Sequence, residues 1–318
     1  MNLPLYYPLV DIYRSGCIDN RFYALMYLAD KNGEIIKFKG DDNNSKFFLR
    51  SLFKPIQSSI LAEDKIYNRF KFTDAELAIM QGSHSGEPLH IELIHSILNK
   101  TGLNENCLLC PPIKPLNTAI YNNDELFLSK VFNNCSGKHS MMLSYCVYKG
   151  FNIENYIDFS HPVQKKIKEK LIFYAKTSDM TETKDGCLVP VYGLKIKDII
   201  KTFINYYNDK ENETLINAYK NNPYVIGGFD NFGERTDTKI MRLNKNLISK
   251  VGAGGFIYVF NIETGGFLLL KMAQDNNKIR EIIILEALYK LNWLDKRHYD
   301  EYIRTEDNNP IGKYVFNF

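Results

Sequence analysis

The stretch RSLFKPIQ at residues 50–57 sets Ser51 three residues before Lys54 and places Pro55 directly after the lysine. A serine hydroxyl is a weak nucleophile until a neighbouring base takes its proton. A lysine can be that base when burial or nearby positive charge lowers its pKa. Ser-x-x-Lys at a helix start therefore supplies nucleophile and base without a histidine or an aspartate. Proline lacks an N–H and fits only the first turn of a helix, where N–H groups have no intrahelical partner. A helix through IQSSILAED is thus expected to begin at or just before Ser51, with the hydroxyl at the positive end of the dipole and Lys54 on the same face. Taken alone, the tetrad is a weak signal and reads more readily as a capping serine beside a solvated lysine.

Two further stretches share this chemistry. MQGSHSGEPLH carries Ser83, His84 and Ser85 in a turn between two expected helices, where a second hydroxyl can reach a cleft. SKVGAGG carries Lys250-Val251-Gly252 on an expected strand. Enzymes of the Ser-x-x-Lys type line their site with a Lys-Thr-Gly strand. The next backbone N–H, that of Ala253, would pair with the N–H of Ser51 to hold an oxyanion. Gly252, Gly254 and Gly255 let a substrate approach the strand closely. The order Ser-x-x-Lys, Ser-x-Ser, Lys-x-Gly points to acyl transfer.

The elements that must position these groups follow from pattern. Residues 7–39 read as strands, with Asn32-Gly33 as a hairpin turn. Thr73 and Glu76 form a capping box for a helix ending at Gly82. Further helices are expected from Pro88 to Lys100, over 137–150, over 160–177 and near 195–208. The runs LISKVG, GFIYVFNI and GGFLLLKM read as strands, with a hairpin at Gly265-Gly266, and residues 275–292 as an amphipathic helix. Strands, a helical block, strands again and a last helix predict an α/β protein of the α+β kind. It is expected to be a single domain over 1–318 in which helices flank an antiparallel sheet. An all-helical subdomain, about 58–180, is inserted and leaves a cleft at its junction.

Forty basic against 37 acidic side chains give a net charge of +3, too balanced for a nucleic-acid or anionic-membrane partner. No apolar run approaches the roughly 18 residues of a membrane span. MNLPLYYPLVDIYRSG has no basic leader region and contains Asp11, so the expected location is cytoplasmic. Disulfides among the six cysteines are then not expected. His84, Glu87, His90 and His95 cluster in sequence, but His90 and His95 stand five apart rather than the four that puts two ligands on one helix face. Cys107 and Cys110 have no second pair of matching spacing.

Together, RSLFKPIQ, GSHSGEPLH, NNCSGKHSMML, DGCLVP and KVGAGG resemble, in order, the motifs of the asparaginase II family, the rhizobial-type L-asparaginases. The resemblance spans residues 8 to 292, and NNCSGKH at 133–139 is its most specific piece. It implies a serine-β-lactamase-like fold, shared with penicillin-binding proteins, and hydrolysis of L-asparagine to L-aspartate and ammonia. The catalytic pairs it implies are Ser51 with Lys54 and Ser83 with Lys250. It also implies zinc on Cys135, Lys138 and Cys187, and a homodimer. Two thiolates suit zinc, while a lysine ligand must be neutral to bind. By motif adjacency, Arg50, His139 and Asp185 are expected at the substrate's charged ends, with Ala253 at the oxyanion. The chain departs from the family pattern at Gly254, where a glutamate is usual, at Val251, which replaces the threonine of Lys-Thr-Gly, and by an insertion before Arg235 in GGFDNFGERTDT. Rival readings are a glutaminase, a β-lactam-type serine hydrolase, and a sensor that keeps the fold without turnover.

Overall fold

A computed structural model describes residues 3–122 and 127–318. The chain opens with strands β1 (Tyr7–Arg14), β2 (Cys17–Ala29), β3 (Ile35–Lys39) and β4 (Lys46–Phe48). A 3₁₀ turn at Arg50–Phe53 leads into α1 (Lys54–Ser58), followed by α2 (Ile66–Phe70), α3 (Asp74–Gln81), α4 (Pro88–Lys100), α5 (Ser136–Lys149) and α6 (Pro162–Ala175). Strands β5 (Thr181–Lys184) and β6 (Pro190–Lys195) come next. They precede α7 (Ile196–Asn208), α8 (Glu213–Asn221), α9 (Pro223–Ile226), the short β7 (Phe229–Asp230) and β8 (Gly233–Glu234), and α10 (Thr236–Leu243). The chain closes with β9 (Leu247–Gly252), β10 (Phe256–Asn261), β11 (Phe267–Met272), α11 (Asn277–Lys290), β12 (Tyr302–Arg304) and β13 (Pro310–Phe316).

The main sheet is antiparallel, in the order β12-β13-β1-β2-β11-β10-β9, with β3 also on β2. First and last strands share it and helices cover it, as the sequence pattern predicts. Strand alternation divides the core. Phe256, Tyr258 and Phe260 of β10 face the helical block, whereas Ile257 and Val259 face the layer built by α11. Ile279, Ile283, Ile284 and Leu288 bury the inner stripe of that helix. Each such side chain contributes about 1.5–3 kcal/mol relative to exposure.

Several local signals hold. Thr73 and Glu76 close both halves of the capping box on α3, and Pro88 opens α4. The Asn32-Gly33 turn joins β2 to β3, with Asp30 Oδ1 accepting from the N–H groups of Asn32 and Glu34. The chain does not end on α11, however. β12 and β13 follow, and β13 pairs with β1 from Val10↔Phe316 to Tyr13↔Lys313. These strands are half exposed, so they lack the apolar runs by which inner strands announce themselves.

Candidate active site

Ser51 lies in the 3₁₀ turn, and Pro55 occupies the first turn of α1. The helical entry is thus where the proline requires it, but tighter than an α-helix. Arg50 enters it with φ at +48°, a left-handed conformation costing of order 1–3 kcal/mol. Its guanidinium pairs with Asp185 Oδ1, which also accepts from the N–H of Gly186 at 2.8 Å. On the other side, β9 closes on the turn through Gly252. A Cβ there would lie 2.9 Å from Leu52 Cγ. Strand parity puts Lys250 on the same face of β9 as Gly252, toward the helical block.

Ser83 follows α3 in a pinned loop. Its N–H donates to Ile226 O at 2.7 Å, and Ser85 Oγ donates to Gly227 O at 2.7 Å. Both predicted lysines reach the Ser83 hydroxyl. Lys54 Nζ donates to Ser83 Oγ at 2.8 Å and to Asn134 O at 2.8 Å. Lys250 Nζ donates to Ser83 Oγ at 2.9 Å and to Val251 O at 2.9 Å. Lys54 is 1% exposed and Lys250 0%. Burial lowers the pKa of Lys54. Burial brings Lys250 down to about 7, against the pull of Asp237 and with help from the charges of Lys54 and Arg235. Asp237 is itself buried, 3.4 Å from Lys250 Nζ, and accepts the Val251 N–H at 3.2 Å. Burial alone would raise its carboxyl, but Lys250, Arg235 and that N–H outweigh it and hold the group ionised.

Ser51 and Ser83 open on one cleft of about 1030 Å³, whose near wall adds Asn134, Val251, Gly252 and Ala253. Arg50, His139 and Asp185 lie outside that lining. His139 is buried, its Nδ1 2.6 Å from Tyr156 Oη, and burial pulls its pKa down to about 3, leaving it neutral.

Behind the lysines, the start of α5 brings Cys135 and Lys138 to the loop that carries Cys187. Lys138 Nζ lies 2.9 Å from Cys187 Sγ, and all three residues are buried. The Cys135 thiol donating to Cys187, with the charge of Lys138, brings Cys187 down to about 5, a thiolate at neutral pH. Close packing of α5 on α3 permits this meeting. A Cβ on Gly137 would sit 2.2 Å from Ile79 O. The predicted trio therefore converges. The clustered histidines have other partners. His84 Nε2 lies 2.8 Å from Ser136 Oγ, His90 Nδ1 accepts from Glu87 N, and His95 stands 3.8 Å from Glu105. Among the described residues, no three His, Cys, Asp or Glu side chains gather in a metal-binding arrangement.

Pattern reading gave no role to Asp237, Asn134 or Arg235. Asp237 begins α10, and nothing local in ERTDT distinguishes it from an ordinary first-turn acid. Only the fold carries it to Lys250.

A buried serine held between lysines, beside a second serine at a cleft floor, can accept and pass protons during acyl transfer. Sequence comparison agrees in class. The L-asparaginase II family profile matches residues 10–315, and the chain belongs to that family, a group of hydrolases acting on small amide substrates. No curated protein matches. Among solved structures, a beta-lactamase from Mycobacterium bovis is 13% identical and covers 84% of this chain and 94% of its own, with a TM-score of 0.43. A protein from Bacteroides dorei assigned as a beta-lactamase is 12% identical and covers 80% and 86%, with a TM-score of 0.40. No helix among the described residues is long and apolar enough to cross a membrane.

Proposed function

We propose that the protein hydrolyses L-asparagine to L-aspartate and ammonia through a Ser-Lys mechanism. The observation that carries this reading is the meeting of Lys54 and Lys250 on Ser83 Oγ at the floor of a cleft that Ser51 also lines. Ser51 Oγ attacks the side-chain amide carbon, and its proton passes to neutral Lys54. The oxyanion rests on the N–H groups of Ser51 and Ala253. As the C–N bond breaks, the proton travels from Lys54 through Ser83 and Lys250 to the leaving nitrogen, which departs as ammonia. Water then attacks the aspartyl ester, the same relay takes its proton, and Ser51 regains its hydrogen. Burial favours this role for both lysines, because a base must be neutral when it acts.

Cys135, Lys138 and Cys187 would hold zinc. Two buried sulfurs, one of them a thiolate, suit this metal, and Lys138, which Cys187 and Cys135 hold in its charged form, would have to give up its proton to join them. Bound there, zinc would supply a fixed positive charge behind the catalytic lysines. The chain's own residues perform the chemistry above.

The test is ammonia release from L-asparagine by the wild type and by Ser51→Ala. Turnover should be present in the first and at least about 10⁴-fold lower in the second, with melting temperature little changed. Near-full activity in Ser51→Ala would sink the assignment.

A further inference from the structure

The substrate of such a site carries an α-carboxylate, and the groups that sequence pointed to for its charged ends are engaged elsewhere. Arg50 and Asp185 are bonded to each other, and His139 is neutral and bonded to Tyr156. The charged residues that do line the cleft differ in how they are satisfied. Glu234 takes the fork of Arg242 at 2.8 and 2.7 Å. Glu281 accepts from Lys239 at 2.7 Å and Thr236 at 3.0 Å. Arg280 donates to Asp275 and to Asn277, each at 2.6 Å. Asp230 accepts from the N–H of Phe232 at 2.8 Å, and Lys278 is exposed to water.

Arg235 is different. It is half-buried and lines the same cleft as Ser51, Ser83 and Ala253. Among the described residues, its guanidinium has neither an ion pair nor a hydrogen bond. Its neighbour Glu234 is already spent on Arg242. Its backbone is fixed, the N–H donating to Gly228 O at 3.0 Å at the start of α10. Its charge is felt by Asp237, Lys250 and His84 at the inner end of that cleft. A planar, permanently charged fork left open in the cleft that holds the nucleophile fits a carboxylate in two-point contact.

We propose that Arg235 binds the α-carboxylate of the amino-acid substrate and restricts the site to side-chain amides of free amino acids. This rests on the amidohydrolase reading above. A peptide or ester, in which that carboxylate is masked, leaves the guanidinium unpaired and is rejected.

The test compares L-asparagine with its neutral α-methyl ester in the wild type, Arg235→Met and Arg235→Lys. A charged hydrogen-bonded contact corresponds to a preference of about 10–150-fold in kcat/KM for the free acid. Arg235→Met should erase that preference, lowering kcat/KM for L-asparagine by the whole of this factor more than it lowers that for the ester. Arg235→Lys should keep part of it, and decides the matter should the methionine variant not fold. Retention of the full preference in a folded variant overturns the proposal. A wild type that turns over neither compound sinks the amidohydrolase reading instead. In that case the thermal shift produced by L-aspartate decides: loss of the shift in the variant sustains Arg235 as the anchor, and an unchanged or absent wild-type shift removes it.

Discussion

Lys54 and Lys250 donate to one oxygen, Ser83 Oγ, at 2.8 and 2.9 Å, and both are buried. Asp237 offsets one of the two charges, but burial and the neighbouring lysine pull the other way, lowering both pKa values, that of Lys250 to about 7.

The pH profile follows from this. The kcat/KM for L-asparagine should rise through an apparent pKa near 7, a value belonging to the coupled Lys54–Ser83–Lys250 group. The stability sign is fixed as well. Lys250 has a folded pKa of about 7 against an ordinary 10.5, so between these values the unfolded chain binds more protons. This group therefore makes stability rise with pH across that window. Urea denaturation at several pH values should show a shallower rise in Lys250→Met.

Removing the shared acceptor tests the relay itself. Ser83→Ala should lower kcat by about 10²–10⁴-fold, the range for a lost proton-transfer group. It also leaves two buried N–H groups short of a partner, at about 1–3 kcal/mol of stability. Steady-state kinetics with thermal unfolding separates the two effects.

Asp237 raises the pKa of Lys250, and its loss has a directional signature. In Asp237→Asn the kinetic limb should move to lower pH, since the buried lysine loses its counter-charge. Stability should fall by about 1–3 kcal/mol. This is less than the 3–5 kcal/mol of an inescapable buried charge, because Lys250 can discharge. A limb that stays in place would remove Asp237 from the account.

The contact of α5 with α3 predicts a structural cost. Gly137→Ala places a methyl against the backbone oxygen of Ile79, with no flexible side chain to give way. A loss of at least about 1–3 kcal/mol is expected. Activity should fall with it, because the same helix start presents Asn134 to Lys54 and Lys138 to Cys187.

Zinc makes the last prediction. Added to metal-free protein, it should raise the melting temperature, by the equivalent of about 2.7 kcal/mol at a hundredfold excess over Kd. Cys187→Ser should abolish the gain. An equal gain in the variant would place the metal elsewhere.

Much of this was legible before any coordinates. The capping box at Thr73, the hairpin at Asn32-Gly33 and the proline after Lys54 are local signals with local causes, and they hold. The partnership of Ser83 with both lysines was half legible. The motifs named the residues and paired Ser83 with Lys250, and the fold brings Lys54 to the same hydroxyl. Asp237 and Arg235 were opaque because their roles arise where α10 meets β9, a contact set by the whole fold. The strands after α11 were missed for a different reason. β12 is a short edge strand, and β13, though paired on both sides, is half-exposed and carries too weak an alternation to stand out.

The sheet that joins β1 and β2 to β11 and β13 also sets a timetable for synthesis. Ser51, Lys54 and Ser83 leave the ribosome early. At roughly 5–20 residues per second, Lys250 follows on the order of 10–40 s later. For that interval the nascent chain displays β2 with its inner edge open and an apolar face uncovered. That edge of β2 finds its partner only when β11, more than two hundred residues later, has been made.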